Sequence, residues 1–176
     1  CCSGPAVARG WSGPITDCAV MNRLELTRRV PLRIAARIGL SEGNRSVRYA
    51  RHWLATLGGQ VSDCAAGVDI AIVANDEAVN ADCVIRLWDF QVGFPGSGIL
   101  ASAVSGAASV IGHRDGPGIP LPVDMPEKWC GMYGVILALA EAWRRRNGAK
   151  KKIVYDVSAA DVARVFSLQN SGGREE

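Results

Sequence analysis

Closely spaced metal ligands are missing from this sequence. Its six cysteines include no CxxC pair and no nearby CxxH, and the chain has only two histidines. Structural zinc sites are built from such spacings, so we expect no metal centre. The cysteines are also too sparse for a disulfide-stabilised secreted scaffold. We therefore expect buried, reduced thiols in a cytoplasmic protein.

Signals for secretion, membranes and nucleic acids are weak or absent as well. The chain shows no basic-then-apolar leader, and its net charge of +3 does not indicate nucleic-acid binding. Residues 91–112 carry no charge and are long enough to span a bilayer. They are rich in glycine and serine and contain Pro95, so we predict a buried helix there. Neither a membrane nor a nucleic acid is an expected partner.

The length and composition fit one globular domain. The chain has 176 residues, of which 48% are hydrophobic and 21% charged. Residues 1–30 show no sustained hydrophobic periodicity and contain the turn-forming pairs Gly4-Pro5 and Gly13-Pro14. This pattern predicts an irregular segment. We predict an α/β domain over residues 31–170 and a frayed tail over residues 171–176.

Apolar runs and helical periods alternate from Pro31 onwards. Near-continuous apolar runs of this kind predict buried parallel strands. The predicted fold is therefore a Rossmann-like open, mainly parallel sheet with helices on both faces. The connections 61–68 and 75–82 are too short for full crossover helices, so at least one such element must be reduced. Predicted strands are Leu32–Leu40, Val68–Asn75, Asp82–Phe90 and Lys151–Val157; predicted helices are Arg45–Gly59, Gly98–Ile111, Lys128–Arg146 and Ser158–Leu168.

Three helices have a predicted packing face. Large apolar residues recur at helical spacing in two of them, whereas small residues recur in the Gly98–Ile111 helix and favour close approach to a neighbour. Ser158 and Asp161 predict a capping box at the start of the last helix. The predicted apolar faces comprise Val47, Ala50, Trp53, Leu54 and Leu57 in one helix and Met132, Val135, Ile136, Leu139 and Trp143 in the other.

Four short motifs follow one another in the second half of the chain. They are Ser105-Gly106, Asp115-Gly116-Pro117, Glu127 four residues before Gly131, and Tyr155-Asp156-Val157-Ser158. In this order and spacing the chain resembles the family III CoA-transferases, the carnitine and formyl-CoA transferase group that also includes acyl-CoA racemases. The resemblance covers Leu32–Leu168, and members of that family are longer and form interlocked dimers.

The resemblance implies a role for Glu127. In the family an aspartate at this place attacks an acyl-CoA thioester, forms an anhydride and then holds CoA as an enzyme thioester. Glu127 would be this catalytic carboxylate, with a longer side chain than the family's aspartate. Its alternative role is to complement the charge of the first turn of its helix. Asp124 is the alternative nucleophile if the register slips by three residues.

A glycine-rich loop and several arginines are the candidate ligand-binding residues. Residues 93–98 lie between a predicted strand and a predicted helix, where backbone N–H groups can bind a phosphate. They match neither a Walker A loop nor GxGxxG, and a tight packing turn is the alternative interpretation. Ser97 stands where the racemases of the family have a histidine, which disfavours racemase chemistry. The CoA-binding candidates are Gly93, Gly96, Ser97, Gly98, Arg37 and Arg45.

The expected function is therefore exchange of CoA between an acyl-CoA thioester and a small carboxylate. Acyl-CoA is then a substrate, and no metal takes part. The expected assembly is a homodimer or a fold completed by a second chain. Two alternatives remain: a non-catalytic member of the family that binds CoA or a protein, and one piece of a split enzyme.

Overall fold

A five-stranded parallel sheet forms the centre of the protein. The computed structural model describes residues 36–171 except 60, 64, 112–115, 123 and 150, with side chains described as far as residue 167. The strand order is β2-β1-β3-β4-β5, and every neighbouring pair is parallel. The strands are β1 (Ile38–Leu40), β2 (Val61–Ser62), β3 (Ile70–Ala74), β4 (Cys83–Trp88) and β5 (Ile153–Ser158).

In the described residues, four α-helices accompany the sheet. They are α1 (Arg45–Thr56), α2 (Gly98–Val104), α3 (Met125–Arg146) and α4 (Ala159–Ser171), with a short 3-10 helix at Ala107–Ser109. The predicted open, parallel α/β sheet is thus confirmed. No helix of the described chain is long and apolar enough to cross a membrane.

One face of the sheet carries the main core. Alternate residues of β3 and β4, including Ile70, Ile72, Ile85 and Leu87, are fully buried under α1 and α3. The two helices approach each other closely at Gly131 of α3. A methyl group there would lie 2.6 Å from the Ser46 carbonyl oxygen, so only glycine permits this spacing.

The other face of β3 and β4 is covered by chain connections. Ala71, Val73 and Val84 pack with Ala65 and with partly buried residues of the two short connections, Val68, Val79 and Ala81. Within the described parts of residues 63–69 and 75–82 no helix forms, as their lengths predicted. Among the described residues, the connection 75–82, β4 and the start of β5 line a pocket on that face.

Several predicted helix boundaries differ from the structure. The helix predicted to reach Ile111 ends at Val104, because Gly106 adopts a left-handed conformation with φ +79° and interrupts it. The next helix starts at Met125 instead of Lys128, with Pro126 in its first turn. Ser158 caps the last helix as predicted: the Asp161 backbone N–H donates to Ser158 Oγ at 3.1 Å, and the Ser158 hydroxyl donates to Asp161 Oδ2 at 2.6 Å.

The predicted apolar stripe of α3 is only partly buried. Val135 lies in the core and Leu139 packs against it, but two other residues of the stripe are exposed. Ile136 is 51% exposed and Trp143 69% exposed. The face that packs against α1 and the sheet consists mainly of small residues and two glutamates, because small side chains let a long helix lie close to its neighbours. Trp53 and Leu57 of the predicted α1 face are also exposed. The buried residues of α3 are Pro126, Glu127, Cys130, Gly131, Gly134, Val135, Ala138 and Glu141.

Several predictions fall on parts of the chain that the structure does not describe. These are the irregular segment 1–30, the start of the first predicted strand, the Asp115 motif position and residues 172–176 of the tail.

Cys83 and Cys130 are free, buried thiols. Burial raises the pKa of both to about 12. These two thiols are therefore neutral at physiological pH.

Candidate functional site

Three helices begin close to the carboxyl edge of the sheet. α1 starts shortly after β1, α2 follows β4, and α3 starts with its first turn beside the ends of β4 and β5. The Cys130 thiol marks this junction, since it contacts the carbonyl oxygens of Trp88 and Val157 at 3.7 and 3.5 Å. Ligands of open parallel sheets bind at this edge, so its side chains are the first candidates for function.

Asp89 fixes the start of α1 against β4. Its carboxylate accepts hydrogen bonds from the backbone N–H of Arg45 at 3.0 Å and of Ser46 at 2.9 Å, and from the Ser46 hydroxyl at 2.6 Å. Asn44 caps the same helix by accepting from the Val47 N–H. α1 is therefore held in one position relative to the sheet, and so are the side chains on its exposed face.

A basic pocket lies along that exposed face of α1. It has a volume of about 530 Å³ and is lined by Arg45, Arg48, Tyr49, His52 and Asp124. The four α1 residues follow the spacing i, i+3, i+4, i+7, which places them on one helical face. Two arginines and a histidine around a pocket of this size favour an anionic ligand.

Asp124 is the carboxylate of this pocket. It lies at the N-cap position of α3 in a left-handed conformation with φ +58°. One of its oxygens forms an ion pair with Arg45, and the other accepts a hydrogen bond from the Tyr49 hydroxyl at 3.2 Å. The Arg45 side chain is 52% exposed. It can therefore exchange this exposed ion pair for a ligand anion at little cost.

Tyr49 is a neutral hydrogen-bond donor in this pocket. Burial raises the pKa of its phenol, and the hydrogen bond to the Asp124 carboxylate raises it further. The ammonium of Lys128 lies 5.5 Å from the centre of the Tyr49 ring. It adds one more positive charge next to Asp124.

Glu127 lies one turn further along α3 and is 1% exposed. Its Oε1 accepts a hydrogen bond from the Gly98 backbone N–H at 2.7 Å, at the first residue of α2. A side chain at Gly98 would overlap this carboxyl group, so the glycine is needed for the contact. Glu127 thus joins α3 to α2, and it is absent from the wall of the basic pocket.

The second oxygen of Glu127 is buried with no hydrogen-bond partner among the described residues. Burial raises the pKa of this carboxyl group, and the nearby charges of Asp89 and Asp124 act in the same direction. The Gly98 N–H opposes this shift by stabilising the ionised form. The carboxyl group therefore keeps its proton to a higher pH than an exposed glutamate.

The glycine-rich loop is a packed turn. Phe94 donates its N–H to the Gln91 carbonyl at 3.0 Å, with Gly93 in a left-handed conformation at φ +80°. A methyl group at Gly96 would lie 2.6 Å from the Phe90 side chain. Ser97 is the N-cap residue of α2 and makes no capping hydrogen bond through its side chain. Only Gly98 of this loop contacts a predicted catalytic residue.

The structure does not bring Arg37 to this site. Arg37 precedes β1, at the amino edge of the sheet, where it pairs with Asp69 at 3.5 Å. The basic run at the end of α3 lies at that edge too. Arg144 and Arg145 hold the buried carboxylate of Glu141 there, and the hydrogen bond from Arg144 lowers the Glu141 pKa. These residues stabilise the helix end far from the basic pocket.

Sequence reasoning missed most residues of the basic pocket. Arg48, Tyr49 and His52 were not among the candidates, and neither was Asp89, which fixes the start of α1. A signal was present, because polar residues at i, i+3, i+4 and i+7 follow the first short strand of an α/β pattern. In the described part of the chain no cluster of His, Cys, Asp or Glu could hold a metal ion.

Comparison with known proteins supports the fold. Two crystal structures of Rv3272, a hypothetical protein from Mycobacterium tuberculosis, have TM-scores of 0.53 and 0.54 with 15% and 14% sequence identity. The matches cover 77% and 80% of this chain and 56% and 59% of Rv3272. This chain therefore spans little more than half the length of those structures. At these identities the likeness shows a shared fold alone.

A CAIB/BAIF family protein from Brucella suis overlaps more weakly. Its TM-score is 0.48 at 12% identity, over 75% of this chain and 36% of that protein. No family model matches the chain, and no curated protein matches it by sequence.

Proposed function

We propose that this protein handles an acyl-CoA thioester and transfers CoA to a small carboxylate. The observation that supports this most is the position of Asp124, a carboxylate on the wall of a basic pocket at the carboxyl edge of a parallel sheet. The motif order of the sequence supports the same chemistry. Because Glu127 is buried and bonded to Gly98, we assign the reacting role to Asp124 and a positioning role to Glu127.

The proposed reaction begins when the CoA phosphates draw Arg45 away from Asp124. The freed carboxylate attacks the thioester carbonyl, the C–S bond breaks, and an acyl-aspartyl anhydride and CoA thiolate form. The thiolate then attacks the aspartyl carbonyl, which releases the acyl group as a carboxylate and leaves an aspartyl-CoA thioester. An incoming carboxylate reverses these steps and leaves as the new acyl-CoA. The neutral Tyr49 hydroxyl donates to the tetrahedral oxyanion.

Trapping of the covalent intermediate tests this mechanism. The protein is incubated with acetyl-CoA and then with hydroxylamine, and its peptides are analysed by mass spectrometry. We expect a hydroxamate at Asp124 that is absent in Asp124→Asn and present in Glu127→Gln. Asp63→Asn is the matched control, because Asp63 is an exposed carboxylate that also pairs with an arginine. A hydroxamate at Glu127 would contradict the assignment to Asp124 and favour the family position.

A second candidate function is CoA binding without catalysis. It is favoured by the state of the two carboxylates: both oxygens of Asp124 are engaged, and Glu127 holds the start of α2. Calorimetry with CoA separates the two candidates when combined with trapping. Heat of binding that Arg48→Gln weakens, without any hydroxamate, would indicate a binding protein. No heat in the full-length chain would contradict both.

The assembly belongs to the proposal as well. We propose either a homodimer or a second chain that completes the active site, since members of the family that the sequence resembles form interlocked dimers. One piece of a split enzyme would show transfer activity only with its partner. Measurement of activity before and after addition of an extract from the source organism distinguishes these cases.

A further inference from the structure

A second pocket lies on the opposite face of the sheet from α1 and α3. Its volume is about 370 Å³, within the range of small-molecule sites. Residues of the connection 75–82, of β4 and of the start of β5 line it. Because its β4 residues, Val84 and Arg86, alternate with Ile85 and Leu87 of the main core, it is separate from the basic pocket.

Arg86 is the unusual residue of this second pocket. Its Nε is shielded from solvent and has no hydrogen-bond partner among the described residues. None of the ion pairs found in the described chain involves Arg86. Asp156 is its register neighbour on β5, yet that carboxylate accepts from the Trp88 indole at 3.2 Å. A shielded N–H without a partner is costly, and an anion that accepts from Nε would offset that cost.

The other charged groups define which anion fits. Lys152 adds a cation, whose ammonium lies 3.5 Å from Asn80 Oδ1. Glu77 and Asp82 add carboxylates, but Asp82 is already paired with Arg145 at 3.0 Å. The carboxylates would repel a doubly charged phosphate more strongly than a singly charged carboxylate. The charge balance therefore favours a monoanion.

The remaining wall is aliphatic. Val79, Ala81, Val84, Ile153 and Val154 line the pocket. An apolar tail would bury its surface against these side chains, while a planar carboxylate matches the fork of the guanidinium.

We propose that this second pocket binds a small aliphatic carboxylate, with Arg86 as its anchor. The proposal is independent of CoA transfer, because it concerns a different face of the sheet and needs no acyl-CoA. Glu77 limits the affinity by repulsion, and Lys152 adds attraction at the rim.

Methyl NMR of the full chain tests the site. Butyrate is the probe, and butyramide is the uncharged control of the same shape. We expect butyrate to shift the methyl signals of Val79, Val84 and Val154 in a saturable way, and butyramide to leave them unchanged. Val47 and Val135 report on the other face and should stay constant. Equal shifts with both compounds, or none at the three valines, would overturn the proposal.

Two substitutions with opposite effects sharpen this test. Arg86→Gln should weaken butyrate binding by about tenfold or more, because a charge-assisted hydrogen bond is lost. Glu77→Gln should tighten binding by up to about fivefold, because a repulsive charge is removed. If Arg86→Gln does not fold, Ala78→Phe at the exposed rim leaves Arg86 in place and should block the pocket. Unchanged binding in the folded variants would contradict the assignment.

Discussion

Glu127 combines a buried carboxyl group with a single hydrogen-bond donor from another helix. The motif order identified this residue from the sequence, because four residues separate it from Gly131 at the start of a long helix. Its contact with Gly98 could not be predicted, since that contact depends on how α2 meets α3 in space. The carboxyl group of a residue singled out by motif order can therefore serve to join two helices.

The raised pKa of Glu127 predicts a specific pH dependence of stability. The unfolded chain has an ordinary glutamate pKa of about 4.3, whereas the folded chain holds the proton to a higher pH. The contribution of this carboxyl group to the free energy of unfolding is therefore greatest at low pH, and it is lost as the pH rises through the folded-state pKa. Glu127→Gln keeps an acceptor for Gly98 and never ionises. We therefore expect the free energy of unfolding of Glu127→Gln, relative to that of the wild type, to increase from acid to neutral pH.

Urea denaturation at a series of pH values measures this difference. Glu141 titrates with the opposite sign, because its pKa is lowered, but it contributes equally to both proteins and cancels. Glu42→Gln, at an exposed position, is the control and should run parallel to the wild type. A Glu127→Gln curve parallel to the wild type would show that burial does not perturb this carboxyl group.

At the scale of elements, α3 shows where sequence patterns mislead. The predicted stripe placed Ile136 and Trp143 on the buried face by the usual rule that large apolar residues pack inward, and both are exposed. The helix instead turns Gly131, Gly134 and other small residues inward, because the space between α1 and the sheet is narrow. The sequence predicted that this segment forms a helix. It did not predict which face of the helix is buried, because that depends on the space between the neighbouring elements.

Substitutions on the two faces of α3 test this rotation. Gly131→Ala should lower the free energy of unfolding by about 1–3 kcal/mol, because its methyl group meets the backbone of α1. Ile136→Gln should change it by less than about 0.5 kcal/mol, because this side chain is half exposed. Gly134→Ala is the matched control, since it meets only the flexible end of Leu87. If thermal unfolding showed a larger loss of stability in Ile136→Gln than in Gly131→Ala, Ile136 would be on the buried face as the sequence predicted.

At the scale of the whole molecule, the sequence predicted a parallel sheet but not the order of its strands. Continuous apolar runs indicated parallel strands, and the short connections indicated missing crossover helices. The order β2-β1-β3-β4-β5 depends on pairing between distant segments, above all β4 with β5. No local pattern encodes such pairing. The basic pocket was missed for the same reason, since Asp124 and α1 come together only in the folded chain.

β5 is the outer strand at one side of the described sheet, and its outer edge gives a test of the expected assembly. Ile153 donates its N–H to the Asp82 carbonyl at 3.1 Å, and Tyr155 and Val157 follow the same parallel pattern toward β4. The N–H groups of Val154 and Asp156 point away from β4. Amide hydrogen exchange should therefore alternate along β5, slow at the first three and fast at the other two. Slow exchange at all five, lost on dilution, would instead show that a second copy adds a strand at this edge.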